Sequence, residues 1–147
     1  IKAAFLYNFI KFVDWPIEVL PETSDTISIC VLGDDPFYET LETIKGKTVK
    51  GRRLAVRRVG AVKDLESCHV AFIGVAEEKR LPQVMQRLQG SSVLTVGDME
   101  GFTQSGGIIN FVVEKNKVRF EINVNRAERA RLKLSSQLLG LARVVRE

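Results

Sequence analysis

The chain has 147 residues, 22 Lys and Arg against 18 Asp and Glu, and 45% apolar residues. That is the size of one domain, read here as residues 1–147, able to bury roughly 70% of the surface its unfolded form exposes. The composition excludes a disordered or fibrous chain, and no apolar run approaches the ~20 residues needed to cross a bilayer. A formal charge of +4 permits an acidic partner without pointing to nucleic acid.

The chain opens IKAAFLYNF, without an initiator Met and already inside an amphipathic pattern. A removed secretory signal, a lipoprotein leader or a further domain upstream would each explain that start. Over residues 2–13, Phe5, Phe9 and Phe12 fall on one helical stripe, and Trp15-Pro16 closes the helix because the residue before proline avoids helical angles. ISICVLG (27–33) is a short apolar run suited to a strand covered on both faces. Asp35-Pro36 then reads as cap and first helical residue. Phe37, Leu41 and Ile44 supply that helix's inner face, and Gly46 stops it.

Residues 47–59 alternate weakly around Lys50-Gly51, as a small hairpin or an edge strand would. HVAFIGV (69–75) and SVLTVG (92–97) are two more buried-strand candidates. Between them Pro82 starts a short helix carrying Leu81, Val84, Met85 and Leu88, ended by Gly90. Short apolar strands separated by helices predict an α/β three-layer sandwich, with a mostly parallel sheet and helices on both faces.

GGIINFVVEKNKVRFEINVN (106–125) breaks the rhythm and predicts an antiparallel hairpin. With Asn116-Lys117 in the turn, Val113 faces Phe120, Phe111 faces Ile122 and Ile109 faces Val124. The opposite face then pairs Asn110 with Asn123, and a slip of two residues would keep the apolar face but part the asparagines. Either they bond each other and solvent on an exposed face, or they line a polar recess with Arg119 and Arg126 suited to a small anionic or amphipathic ligand. Asn125 and Glu128 form a capping box for a long final helix. Ala127, Ala130, Leu134, Leu138, Leu141 and Val145 lie along one side of it.

The residues show no catalytic set. The single histidine, His69, follows Cys68 directly, and neighbouring strand residues point to opposite faces, so the two make a poor nucleophile–base pair; His69 reads as structural. One His and two separated Cys give no zinc pattern, so no metal is expected. Gly33-Asp34-Asp35-Pro36 lacks the second and third glycines of a dinucleotide fingerprint and puts carboxylates where phosphate should go, so no cofactor is expected either. The acidic pair resembles that of a phospho-acceptor receiver domain, but FIGVAEE has no aspartate at its strand end, and Glu77 lies too far beyond it. The basic stretch Lys45, Lys47, Lys50, Arg52, Arg53, Arg57 and Arg58 suits an edge strand guarded against aggregation or a docking surface. Without interleaved aromatics it does not suit nucleic acid. The Phe5, Phe9, Phe12, Trp15 stripe reads as core, with Tyr7 and Lys11 flanking it as candidates, together with Trp15, for a ligand groove or subunit contact.

Three stretches carry a family resemblance: KAAFLYNFIKFVDWP, SICVLGDDPF, and VGDMEGFTQSGGIINFVVEKNKVRFEINVNRAERARLKLSSQLLGLARVV. In this order they resemble the YfiR-like family of exported bacterial proteins across essentially the whole chain. The resemblance implies a periplasmic protein made with a signal peptide, without enzymatic activity and typically dimeric. It also implies a regulator that binds and represses the periplasmic sensory part of an inner-membrane diguanylate cyclase in cyclic-di-GMP signalling. An outer-membrane lipoprotein can sequester such a regulator, and other relatives accompany histidine kinases. The family's first-strand cysteine can bridge to one ahead of a later strand, which would carry over to Cys30 and Cys68. Bridging needs their Cα atoms within roughly 7 Å, although Cys30 lies mid-strand and Cys68 precedes its strand. The alternatives are a receiver-like domain or a small-molecule-sensing domain associated with a histidine kinase.

Overall fold

The buried runs read from the sequence become the middle of one sheet in a computed structural model, which describes residues 1–145. In chain order the elements are α1 (Lys2–Lys11), β1 (Val13–Asp14), β2 (Thr26–Leu32), α2 (Phe37–Thr40), β3 (Thr48–Val49), β4 (Arg52–Val59), β5 (Val70–Ile73), α3 (Leu81–Leu88) and β6 (Leu94–Gly97). The order continues with β7 (Ile109–Glu114), β8 (Lys117–Asn123), α4 (Val124–Arg129), β9 (Lys133–Leu134), α5 (Ser136–Leu141) and β10 (Arg143–Val145). Among the described residues, eight strands form a sheet in the order β10-β8-β7-β6-β5-β2-β4-β3, and β1 pairs with β9 separately. The run β4-β2-β5-β6-β7 is parallel, and β3 and β8 are antiparallel to their neighbours β4 and β7. This is the mixed α/β sandwich the alternation of runs implies.

Period-2 side chains sort the core into two layers. Ile27, Ile29 and Val31 of β2 and Val70 and Phe72 of β5 face α1, α2 and the C-terminal helices. Cys30, Leu32, Ala71 and Ile73 face α3 and a 3-10 helix over Val62–Ser67. The aromatic stripe of α1 packs on the hairpin. The Phe9 ring lies 5.6 Å from Phe111 and 4.8 Å from Phe120, and Phe5 lies 5.7 Å from Phe120, edge and offset contacts that add to burial.

The edge strand also behaves as its composition implies. Lys50 adopts φ 56° and Gly51 φ 79° in the tight β3–β4 turn. Several of the basic side chains there are spent on structure. Arg52 donates to the carbonyls of Ser24 and Pro21, and Arg58 forms a two-pronged pair with Glu39.

Two expectations are corrected. The hairpin turn is Lys115-Asn116, both with positive φ (50° and 64°), the geometry of a two-residue turn matched to strand twist. The register is therefore the slipped one: Ile109 opposite Ile122, Phe111 opposite Phe120, and Asn110 opposite Glu121 rather than Asn123. The single long C-terminal helix is also wrong. Arg131 takes φ 60°, and its N–H bonds to Glu128 O while that of Leu132 bonds to Ala127 O. That is a Schellman stop with arginine where glycine usually sits. Leu132 is thereby buried, and β9 runs beside β1, with Val13 opposite Leu134. The chain then restarts as α5, capped by Ser135, whose Oγ accepts from Leu138 N. Leu141, placed on the inner face of the expected helix, is 71% exposed.

Cys30 and Cys68 are joined, with Cα atoms 6.1 Å apart. The offset is bridged because the 3-10 helix that Cys68 ends packs on the sheet in the same buried cluster as Cys30. The bond closes a 38-residue separation, which in the chain-entropy view stabilises the fold by about 3–4 kcal/mol. Reduction with dithiothreitol is expected to lower the urea midpoint by about 1–2 M, with a slope no shallower because the freed unfolded chain exposes more surface. An unchanged midpoint would show that the bond adds nothing.

Candidate functional site

On the face of β6, β7 and β8 turned toward α3, the side chains are polar and yet buried: Thr95, Asn110, Glu121 and Asn123 are each at most 4% exposed. The segment 98–107, between β6 and β7, folds down over them. Asn110 Oδ1 accepts from Met99 N at 3.2 Å, and its Nδ2 donates to Met99 O at 2.7 Å. Asn123 Nδ2 donates to Thr103 O at 2.9 Å, and Thr103 Oγ1 donates to Glu121 Oε1 at 2.9 Å. Met99 and Phe102 of the same segment sit in the apolar cluster beside α3.

Glu121 is the charged centre. Arg143 of β10 donates to its Oε2 at 2.7 Å. Burial acts to raise the carboxyl's pKa, but the hydrogen bonds from Arg143, Thr103 and Asn110 and the arginine's charge outweigh it and hold the group below its ordinary value. The same pairing raises Arg143.

Asn123 also caps α4, its side chain accepting from Arg126 N. The cap thus lies two residues before the expected Asn125 box, at the point where β8 ends. Capping aims Arg126 across the gap to α3, where its Nε donates to Gly106 O at 3.2 Å. Gly106 takes φ 113°, a conformation that favours glycine, and a Cβ there would also lie 2.5 Å from the Arg126 guanidinium and 3.2 Å from Met85. A cleft of ≈ 530 Å³ opens between the C-terminal end of α3 and α4, at the edge where β6 and β7 begin.

The seven candidate binding residues do not converge. Asn110, Asn123 and Arg126 hold the 98–107 segment from beneath, and Arg119 is exposed on β8. Tyr7 donates its hydroxyl to Thr48 O at 3.0 Å, fastening α1 to β3, and Lys11 is exposed beside the Phe12 ring. Trp15 is 8% exposed and donates Nε1 to His69 O at 3.1 Å. His69 ties three segments together. Its Nδ1 accepts from Ser28 N at 2.9 Å, which assigns the proton to Nε2, and Nε2 donates to Val19 O at 3.1 Å. Sequence reasoning missed Thr103, Glu121 and Arg143. The one signal pointing to Glu121 was a carboxylate inside a run that otherwise buries alternate residues.

Among the described residues, no group of three or more His, Cys, Asp or Glu is placed to hold a metal ion, and no helix is long and apolar enough to cross a membrane. The crevice at the carboxyl ends of β2 and β5, where the strand order reverses and open α/β sheets usually bind ligands, is filled by the chain itself. The Asp35 carboxylate lies against Gly74 and that of Glu77 against Gly33.

The profile of the YfiR/HmsC-like family matches residues 1–143. The chain belongs to the YfiR/HmsC-like family. That family is periplasmic and regulatory rather than catalytic, and it acts in cyclic-di-GMP signalling. Two solved structures share the fold. One is an ABC domain from Streptococcus pneumonia in complex with L-Trp, at 14% identity and TM-score 0.59, with 88% of this chain and 57% of that one covered. The other is a conserved domain protein from Vibrio cholerae, at 14% identity and TM-score 0.60, with coverage of 89% and 57%. The chain therefore spans little more than half the length of either, and at this identity the likeness concerns the fold alone.

Replacing Asn110 by Leu strands both Met99 backbone groups and one donor to Glu121, and is expected to destabilise the protein by about 2–4 kcal/mol. Amide exchange should accelerate most across 98–107, whereas uniform acceleration would show that the asparagine does not clasp that segment. For His69, burial comes first among the causes that lower its pKa from 6.5, with Arg52 adding to it against the Val19 hydrogen bond. The unfolded chain therefore takes up the proton first. Stability from this group is full above 6.5 and is lost as pH falls from there through the folded value. Denaturation at stepped pH should show that decline, and His69→Gln should flatten it; an identical slope in the variant would assign the titration elsewhere.

Proposed function

We propose that residues 1–147 form a single domain of a periplasmic, exported regulator that acts as a homodimer. It binds the sensory domain of an inner-membrane signalling protein, in the first instance a diguanylate cyclase, and represses it. The observation that carries this reading is the family match over residues 1–143. The fastened architecture agrees with it: a disulfide, a buried carboxylate network and a crevice filled by its own side chains suit a rigid surface presented to a partner.

Repression then follows from differential affinity. A regulator shifts its partner only as far as it binds the off state more tightly, and moving a partner from mostly on to mostly off takes about 10⁴-fold discrimination. A dimer engaging two sensory domains would gain effective concentration as well. Of the candidate residues, Lys11 and Arg119 are exposed and so available to a partner directly. Buried Trp15, Asn110 and Asn123 would act through the segments they position. A lipoprotein or another competitor covering the same surface would release the partner.

The test is reconstitution. Exported from a host carrying a membrane diguanylate cyclase of the same origin, the chain is expected to lower cellular cyclic-di-GMP severalfold and to co-purify with the cyclase from solubilised membranes. Stable export with unchanged cyclic-di-GMP and no cyclase or kinase recovered would reject the proposal.

A further inference from the structure

The cleft between α3 and α4 has a charge imbalance that the fold does not use. Two arginines of α4, Arg126 and Arg129, line it, and among the described residues no carboxylate does. Arg126 is held by one bond, Nε to Gly106 O, and Arg129 has no hydrogen-bond or ion-pair partner among the described residues. They are three positions apart on one helix, so both guanidinium groups reach the same side. The C-terminal end of α3 faces them across the cleft. Its partial negative charge steadies two cations there without neutralising them. The floor between is largely apolar, with Val93 and Ile108 each 4% exposed beside Thr95, whose Oγ1 already accepts from Ile108 N. The volume, ≈ 530 Å³, is that of a small-ligand site.

We infer that this cleft binds a small amphipathic carboxylate, its apolar body on Val93 and Ile108 and its carboxylate between Arg126 and Arg129. Planar guanidinium groups recognise carboxylates with paired N–H donors, and such charge-assisted bonds are the stronger kind. Neither half of the site is sufficient alone, since a purely polar anion gains nothing from the floor and a neutral apolar molecule gains nothing from the arginines. The wall completed by Gly106 belongs to the 98–107 segment, which the asparagine–glutamate network holds down. The inference is independent of which membrane protein the chain regulates.

The probe is octanoate, with octanamide as its neutral counterpart and inorganic phosphate as the polar anion. In thermal-shift titrations octanoate should give a saturable rise in melting temperature, since a ligand bound only by the folded state must stabilise it. Octanamide and phosphate should each bind at least about tenfold more weakly, one charge-assisted bond being worth about that factor. Arg129→Gln should weaken octanoate about tenfold, and Arg129→Glu should abolish its effect; Arg126 is left intact because it braces Gly106. In the unmodified protein the Met85 and Ile108 methyl resonances should move with octanoate, a readout that needs no variant to fold. No saturable shift, equal affinity for octanamide or phosphate, unmoved methyl resonances, or undiminished binding by a folded Arg129→Glu protein would each overturn the assignment.

Discussion

Glu121 is a carboxylate buried in the middle of a sheet face, and an uncompensated charge in that position costs several kcal/mol. Three separate pieces of chain supply what it lacks. Thr103 comes from the segment between β6 and β7, Asn110 from the neighbouring strand, and Arg143 from the C-terminal edge strand. Each donor is held by other bonds. Asn110 is fixed by both backbone groups of Met99, and Arg143 also meets Glu114. The charge therefore specifies the arrangement of otherwise unrelated segments, since an alternative register would bury the carboxylate with fewer partners. It also explains how three residues of β10 stay paired to β8 at the sheet's edge.

The same constraint divides one face of the sheet into two regions. Over β2 and β5 that face is apolar, through Cys30, Leu32, Ala71 and Ile73, and helices cover it. Over β6, β7 and β8 it is polar, and a helix with an apolar stripe would leave Asn110, Glu121 and Asn123 unsatisfied. An irregular segment can bring backbone N–H and C=O groups face-on instead, and 98–107 does so. Phe102 and Met99 attach that segment to the apolar half. Because its far end meets α4 through Gly106 and Arg126, satisfying the sheet's polar face also builds one wall of the cleft between α3 and α4.

Legibility in the sequence follows the same division. β2, β5 and β6 fall within one or two residues of their expected places because strands covered on both faces leave continuous apolar runs, which no other local pattern imitates here. Helix α1 and the aromatic core were equally plain. The hairpin's existence was readable but its register was not, since registers two residues apart bury the same apolar face, and they differ only in whether Asn110 meets Asn123 or Glu121. Whether the polar face was exposed or recessed was not readable, because the cover comes from a segment with no periodicity of its own. The break at Arg131 was invisible for another reason: Ala-Arg-Leu-Lys-Leu favours helix at every position, and what ends it is the burial of Leu132 and the pairing of β9 with β1. Tertiary contacts overrode local propensity there.

The place where the fold closes itself bears on what it can do. Where β2 and β5 diverge, an open α/β sheet offers a crevice lined by strand ends, the usual seat of a cofactor or substrate. Here Asp35 and Glu77 occupy it, each pressed on a glycine of the opposite loop, and Asp35 also accepts from Phe37 N at 2.9 Å. Arg80 holds Glu77 at 2.7 Å. Emptying that crevice for a phosphate would mean moving two carboxylates that are already bonded and whose charge repels the ligand. The opposite edge has the reverse character: arginines without carboxylate partners among the described residues, over a largely apolar floor. A family that regulates rather than catalyses has no need of the first kind of site. A ligand seated on α4 and the 98–107 segment would touch the parts that the buried charge keeps in register.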